Sequence, residues 1–165
     1  METPIVQTPH DVLRATAEPI ASTLFGTKKL TAIIDDMKHA LAQESDGVAI
    51  AAPQIGVSLR IFVVAQRASK SFTDDMVFIN PTFVRIGKQK EFLSEGCLSV
   101  RWKYGKVRRA TTATVRAYNE QGHEFVMNGR GLLAQIFQHE IDHLNGILFI
   151  DKATHVEDLP PDTQQ

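Results

Sequence analysis

The stretch "IFQHEIDHLNG", residues 136–146, holds two histidines and a glutamate in the order H-E-x-x-H. Side chains four residues apart lie on the same face of a helix, so His139 and His143 can reach one metal ion from the same side. Glu140 occupies the position that supplies a general base in metal-dependent hydrolysis. Apolar residues around the motif recur at helical spacing, which predicts a helix from about residue 132 to residue 145.

The two sides of this predicted helix differ in polarity, and Gly146 suits its C-terminal cap. Polar side chains recur at spacings of three and four and predict a water-facing side, formed by Gln135, Gln138, Asp142 and Asn145. The histidines and the glutamate of the motif continue the apolar stripes, so we expect them to point into the protein. A metal ion would account for all three buried groups, and the alternative is a hydrogen-bonded cluster of His and Glu.

A third metal ligand is needed, and Cys97 in "SEGCLSV" is the best candidate. A thiolate is a good ligand for a borderline divalent ion, whereas a lone cysteine without a metal site is usually a small buried hydrophobe. The peptidase pattern H-E-x-x-H-x-x-G-x-x-H fails here, because Phe149 occupies its last ligand position. Glu157 and His155 are weaker alternatives, since both lie in a polar segment near the end of the chain.

Length and composition indicate one domain over residues 1–165, with a loose polar tail at 151–165. The chain has a net charge of −1 and no long basic run, so we expect no nucleic-acid site. A single cysteine excludes an intramolecular disulfide, which fits a reducing compartment. The N-terminus lacks the apolar run of a signal peptide, and no apolar run is long enough to cross a membrane. These features predict a cytoplasmic protein.

The rest of the chain predicts one more helix, two strands and a hairpin. The predicted segments are a helix over 28–43 with Thr27 as its N-cap, strands over 59–65 and 76–84, the second broken at Pro81, and a hairpin over 112–128. This order indicates an α+β fold, in which antiparallel-rich β-sheets pack around a central helix that carries the H-E-x-x-H motif.

Three stretches, in this order and at these separations, resemble the signatures of the peptide deformylase family. They are "GVAIAAPQIG" (47–56), "EGCLS" (95–99) and "QHEIDHLNG" (138–146), against the family patterns G-x-G-L-A-A-x-Q, E-G-C-L-S and Q-H-E-x-D-H. The similarity covers residues 4–150. It implies the peptide deformylase fold.

The resemblance also implies an activity, which is removal of the formyl group from the N-terminal formyl-methionine of newly synthesised polypeptides, with release of formate. The family's metal ligands fall on Cys97, His139 and His143, its catalytic carboxylate on Glu140, and its oxyanion-stabilising groups on the Gln54 side chain and the Leu98 backbone N–H. The implied metal is Fe²⁺, for which Zn²⁺, Ni²⁺ or Co²⁺ can substitute. The implied partners are N-formyl-methionyl nascent polypeptides and, transiently, the ribosome, with no membrane and no nucleic-acid site.

The sequence departs from the family pattern in two places. Ala49 stands where the family has its second glycine, and Val100 is followed by Arg101 where many members have a proline. Arg101, Trp102 and Tyr104 either line the entrance of the site and alter its side-chain preference or form a surface loop. Alternative functions are therefore a deformylase-like protein with altered substrate preference or reduced activity, a zinc metallopeptidase, or a metal-stabilised binding module.

Two smaller assignments also have alternatives. Leu132 and Ile136 precede the ligands on the same helix face and are predicted to form part of the methionine pocket, or else to be core residues. Gln54 alone would be a loop glutamine that caps a backbone group. Retention of Gln54 and Glu140 together argues against a metal-stabilised binding module, which needs neither.

Overall fold

The computed structural model describes residues 2–161, which form two α-helices, eight β-strands and short 3₁₀ turns. The helices are α1 (Lys28–Ala42) and α2 (Leu132–Leu144). The strands are β1 (Ala49–Ala51), β2 (Ile61–Val64), β3 (Met76–Ile86), β4 (Lys90–Glu95), β5 (Lys103–Ala110), β6 (Thr112–Tyr118), β7 (Glu124–Arg130) and β8 (Thr154–Asp158).

The strands form two antiparallel sheets, and α2 contacts both of them. The larger sheet has the order β1-β2-β3-β6-β7, and the smaller sheet has the order β4-β5-β8. Helix α2 contacts β1, β2, β6 and β7 of the larger sheet and β5 of the smaller one. The predicted α+β class, with antiparallel sheets around the helix that carries the motif, is therefore confirmed.

Aromatic packing fixes α2 against the larger sheet. Phe62 and Phe78 stack with ring centroids 4.5 Å apart, and the ring of Phe137 from α2 lies 5.3 Å from that of Phe78. Gly129 on β7 permits this close approach, because a Cβ at that position would lie 2.7 Å from the Phe137 ring. These contacts place the motif helix in the core, with its histidines on the side that faces the other elements.

The polar side of α2 is mostly not in water, so the predicted water-facing side is wrong for three of its four residues. Gln138 donates to the Ala110 carbonyl and accepts from the Ala110 N–H, both at 2.9 Å. Asp142 accepts a hydrogen bond from Arg109 at 2.8 Å, and only Asn145 of the four is exposed. Helical periodicity identified the polar side correctly, but Gln138 and Asp142 bind strand β5, and Gln135 donates to the Ser94 carbonyl and to Glu95 of β4.

Two further predictions need correction. The predicted loose tail over 151–165 is wrong for residues 154–158, which form β8 and pair with β5, while residues 162–165 lie outside the described residues. Pro81 does not end its strand, since β3 runs through it to Ile86. The strand accommodates the proline by an irregularity in its pairing with β6, next to Asn80 at φ 49°.

The remaining local predictions agree with the structure. Helix α1 begins after Thr27, whose hydroxyl oxygen accepts from the Leu30 N–H at 3.3 Å, and the hairpin of β6 and β7 is present. Gly146 follows α2 with φ 73°, a left-handed conformation that suits glycine. Within the described part of the chain, none of the helices combines the length and the apolar character that a membrane span requires.

Candidate metal centre and active site

Helix α2 and the turn after β4 bring the three predicted metal ligands together. His139 and His143 lie one turn apart on α2, with their Nε2 atoms 3.2 Å apart. The Cys97 Sγ lies 3.2 Å from the Nε2 of His143, and one ligand atom from each of the three residues falls within 4.8 Å of the others. His155 and Glu157, the weaker alternatives, are on β8 and do not belong to this group.

The donor set fits a divalent metal ion. Tetrahedral ligands at bond lengths of about 2.0–2.3 Å are about 3.3–3.7 Å apart. The two separations that involve the Nε2 of His143, both 3.2 Å, are close to this spacing. Burial lowers the pKa of His143 well below its ordinary value, which favours the neutral imidazole that metal ligation requires. A thiolate with two imidazoles suits borderline ions such as Zn²⁺ and Fe²⁺. The chain therefore has a metal-binding site formed by Cys97, His139 and His143.

A buried glutamate orients one of the ligands, and sequence reasoning assigned it no role. Glu95 lies 2.8 Å from the Nδ1 of His139 through its Oε2 atom. An Nδ1–H donated to Glu95 leaves the Nε2 of His139 for the metal, as second-shell carboxylates commonly do. Arg109 holds Glu95 through two hydrogen bonds, of 3.1 and 2.7 Å, and both side chains are buried.

These contacts keep Glu95 ionised. Burial opposes the charge, but hydrogen bonds from His139 and Arg109 hold the pKa of Glu95 at about 2. Asp142 accepts from the other side of Arg109 at 2.8 Å, and Lys152 at the surface pairs with Asp142 at 3.0 Å. The local sequence carried little signal for this role, because an arginine in this segment resembles a surface residue until its buried partner is known.

Glu140 lies beside the metal ligands in a position suited to proton transfer. Its Oε1 is 3.9 Å from the Nε2 of His139. Its Oε2 is one of two buried side-chain atoms without a hydrogen-bond partner among the described residues, and the Nδ1 of His143 is the other. Burial is the main cause that raises the pKa of Glu140 to about 7. A carboxyl group with a pKa near neutrality can both accept and return a proton in that pH range.

Gln54 and Leu98 lie at the same centre. The Gln54 side chain is buried, and its Oε1 accepts from the Ala51 N–H at 2.9 Å. Its Nε2 donates to Ser99 Oγ at 3.1 Å and points to Cys97 Sγ at 3.6 Å. Gln54 therefore caps a backbone group and also turns its amide donor toward the metal ligands. Leu98 directly follows the cysteine ligand in the turn.

A cavity of about 320 Å³ opens from this centre. It is lined by Cys97, His139, Glu140 and Gln54, and Leu132 and Ile136 also contribute to its wall. Arg101, Trp102 and Tyr104 line the same cavity, so these residues are not a surface loop remote from the site. Arg101 joins two segments of the wall, because its guanidinium pairs with Glu44 and, at 2.9 Å, with Asp46.

Comparison with known proteins agrees with this geometry. The family model for polypeptide deformylase matches residues 2–158. The chain belongs to the polypeptide deformylase family. A peptide deformylase from Halothermothrix orenii is 44% identical over 145 residues, which cover 88% of this chain and 89% of the relative. One from Desulforudis audaxviator is 41% identical over 153 residues, which cover 92% and 94%.

Solved structures of deformylases share the fold. A class I type b peptide deformylase from Acinetobacter baumannii, with Met-Ala-Ser bound, superposes with a TM-score of 0.85 at 32% identity, covering 92% of this chain and 98% of that one. A Legionella pneumophila peptide deformylase gives a TM-score of 0.85 at 38% identity, covering 94% and 88%. This deformylase fold places α2 and the turn after β4 side by side, as the metal group requires.

Proposed function

We propose that this chain hydrolyses the formyl group from the N-terminal formyl-methionine of new polypeptides and releases formate. The observation that carries the proposal is one cavity, lined by two of the three metal-binding side chains together with a buried glutamate and a buried glutamine donor. The Acinetobacter baumannii relative was solved with Met-Ala-Ser, a peptide that begins with methionine as a deformylated chain does. The alternative of altered substrate preference rests on Ala49 and Arg101, and both residues line the cavity.

Cys97, His139 and His143 are the proposed ligands of the catalytic ion. Membership of the deformylase family implies Fe²⁺ as the resident metal. One thiolate and two imidazoles also suit Zn²⁺, Ni²⁺ and Co²⁺, so we expect these ions to be able to replace it. When bound, such an ion supplies Lewis acidity that lowers the pKa of water toward about 7. Glu95 keeps the ring of His139 in the orientation that ligation needs.

The remaining chemistry is assigned to side chains and one backbone group. Glu140 accepts a proton from the attacking water and returns it to the amine that leaves as the C–N bond of the formamide breaks. The Gln54 amide and the Leu98 N–H donate to the oxyanion that develops on the formyl oxygen. Removing one such donor typically costs about 10²–10³ in rate. The products are formate and a free N-terminal amine, so atoms and protons balance.

The cavity wall supplies a place for the substrate's first side chain. Leu132 and Ile136 are the apolar residues of α2 that line it, and we assign them to the methionine pocket. The substrate is made by ribosomes, so we place the enzyme in the cytoplasm and expect transient contact with ribosomes that carry formylated chains. The single domain over residues 1–165 provides all the groups named here.

The test is a formate-release assay on formyl-Met-Ala-Ser, with protein purified anaerobically and its metal content measured. We expect one equivalent of divalent metal per chain and stoichiometric release of formate. Cys97→Ala should lose the metal and the activity together, whereas loss of a cysteine that only fills core space would cost stability alone. Full metal content in Cys97→Ala would contradict the ligand assignment. Cleavage of internal peptide bonds without formate release would favour a peptidase.

A further inference from the structure

The N-terminal segment, residues 5–8, connects the two parts of the chain that hold the proposed oxyanion donors. The Val6 N–H donates to the Gln54 carbonyl at 2.8 Å. Two residues later, the Thr8 N–H donates to the Ser99 carbonyl at 2.9 Å. The same short segment thus binds the backbone of Gln54 on one side and the turn that contains Leu98 on the other.

Between these two bonds, the side chain of Gln7 binds the turn itself. Its Nε2 donates to the Leu98 carbonyl at 2.7 Å, and its Oε1 accepts from the Arg101 N–H at 3.3 Å. On the other side of Leu98, the Cys97 carbonyl accepts from the Val100 N–H at 3.0 Å. The peptide groups before and after Leu98 are therefore both held, and the Leu98 N–H belongs to the first of them.

We propose that Gln7 is a positioning residue, which aims the Leu98 N–H at the oxyanion by fixing the Leu98 carbonyl. This inference rests on the proposed function, in which Leu98 and Gln54 are the two donors. Such donors stabilise developing charge only when they are held in place before the reaction, and a shift of about 1 Å can cost about a hundredfold in rate. Gln7 itself is exposed, and among the described residues it makes no hydrogen bond to a metal-ligand side chain. Its effect on the site is therefore exerted by way of Leu98.

The expected kinetic signature is a loss of kcat with little change in KM. The Leu98 N–H interacts more strongly with the oxyanion than with the neutral formyl group, and an interaction made mainly in the transition state changes kcat. Gln7→Met keeps the length of the side chain and removes both hydrogen bonds. Gln7→Glu keeps an acceptor for the Arg101 N–H but cannot donate to the Leu98 carbonyl.

The fold offers a matched control at Asn80. Its side-chain amide also bridges the N-terminal region to the rest of the protein, accepting from the Ile20 N–H at 2.8 Å and donating to the Ile20 carbonyl at 3.0 Å. Asn80→Gly removes this bridge without backbone strain, since glycine tolerates the φ of 49° found there. Asn80 does not line the catalytic cavity, so this variant reports the cost of loosening the N-terminal region alone.

The experiment measures kcat and KM for formyl-Met-Ala-Ser, metal content, and hydrogen exchange across residues 96–101 in the metal-free proteins. Gln7→Met and Gln7→Glu should both lower kcat by about threefold to tenfold, the size expected for one lost hydrogen bond, with KM within about twofold and metal content unchanged. Exchange across 96–101 should be faster in both. Asn80→Gly should match the wild type in kcat and in exchange of that segment.

Two kinetic results would overturn the inference while leaving the proposed function intact. One is a kcat of Gln7→Met equal to that of Asn80→Gly. The other is a wild-type kcat in Gln7→Glu, which would mean that the bond to the Leu98 carbonyl has no role. A wild-type enzyme that binds metal but releases no formate would instead overturn the proposed function. Even then, unchanged hydrogen exchange across residues 96–101 in the Gln7 variants would contradict the positioning role of Gln7.

Discussion

Removing the charge of Glu95 from its buried pair with Arg109 should destabilise the protein more than breaking an exposed ion pair, and Glu95→Gln tests this directly. The substitution keeps the shape of the side chain and removes its charge. Arg109 is then left with Asp142 as its remaining acid, in a place where its side chain is 3% exposed. An amide at position 95 also presents either N–H or C=O to His139, so the ring loses its fixed charged acceptor.

The size of the effect follows from burial. Removing one partner of a buried ion pair typically costs about 3–5 kcal/mol, because the other charge stays buried and uncompensated. Asp142 still pairs with Arg109, and the amide oxygen still accepts, so we expect the lower end, about 3 kcal/mol. For a urea m-value of about 1–3 kcal/mol/M, the unfolding midpoint falls by about 1–3 M. Loss of the charged partner of the metal-ligating His139 should weaken metal binding by about 10–100-fold.

The assay uses urea unfolding of metal-free protein and metal affinity by competition with a chelator. The matched control is Glu124→Gln, which breaks an exposed pair with Arg116 at 2.8 Å, where both side chains are 49% exposed. Exposed pairs contribute up to about 1 kcal/mol, so this control should barely shift the midpoint. Unfolding of Glu95→Gln at the same urea concentration as Glu124→Gln, together with metal binding as tight as in the wild type, would contradict this prediction.

Two other substitutions test charges further from the metal. Arg101→Ala leaves two uncompensated acids beside the cavity. For this variant, the KM of a formyl peptide with lysine in third position should be about threefold to tenfold lower than that of a peptide with glutamate there, and salt should reduce the difference. Equal KM values for the two peptides would contradict this prediction. The hydrogen bond from Arg14 lowers the pKa of Asp151 below its ordinary value of 3.8. The ion pair therefore stabilises the fold fully above pH 3.8, and this stabilisation is lost as the pH falls through the lowered pKa. Asp151→Asn should therefore cost less than about 1 kcal/mol near neutrality, and its urea midpoint should converge with that of the wild type in acid.

The metal group was predictable because it depends on local spacing. His139 and His143 are one helical turn apart, so periodicity alone placed them on one face, and α1 and the β6–β7 hairpin followed from the same kind of pattern. Cys97 was predicted as a ligand by a different argument, which is that a metal ion held by two histidines needs a third protein ligand. Each of these inferences uses residues that are close in sequence or a short motif, and none needs the pairing of distant strands.

The smaller sheet could not be predicted in this way. Strands β4 and β5 carry several charged residues, and an inward-facing arginine such as Arg109 looks like a surface residue until its partner is known. Strand pairing places Glu91 opposite Arg109 and Glu95 opposite Gly105, so Glu95 is recognised as the partner only from the side-chain hydrogen bonds of the folded protein. For the same reason, the polar side of α2 was assigned to water, whereas Gln138 satisfies the backbone of Ala110.

The most direct test of the central claim is the turnover of Glu140→Gln with its metal content measured in the same sample. The introduced amide is isosteric with the carboxylate but cannot accept the proton of the attacking water, so formate release from formyl-Met-Ala-Ser should fall by about 10²–10⁴-fold. The metal content should match the wild type, because the ligands are Cys97, His139 and His143. Formate release at the wild-type rate by the metal-loaded variant would contradict the assignment of Glu140 and the account built on it.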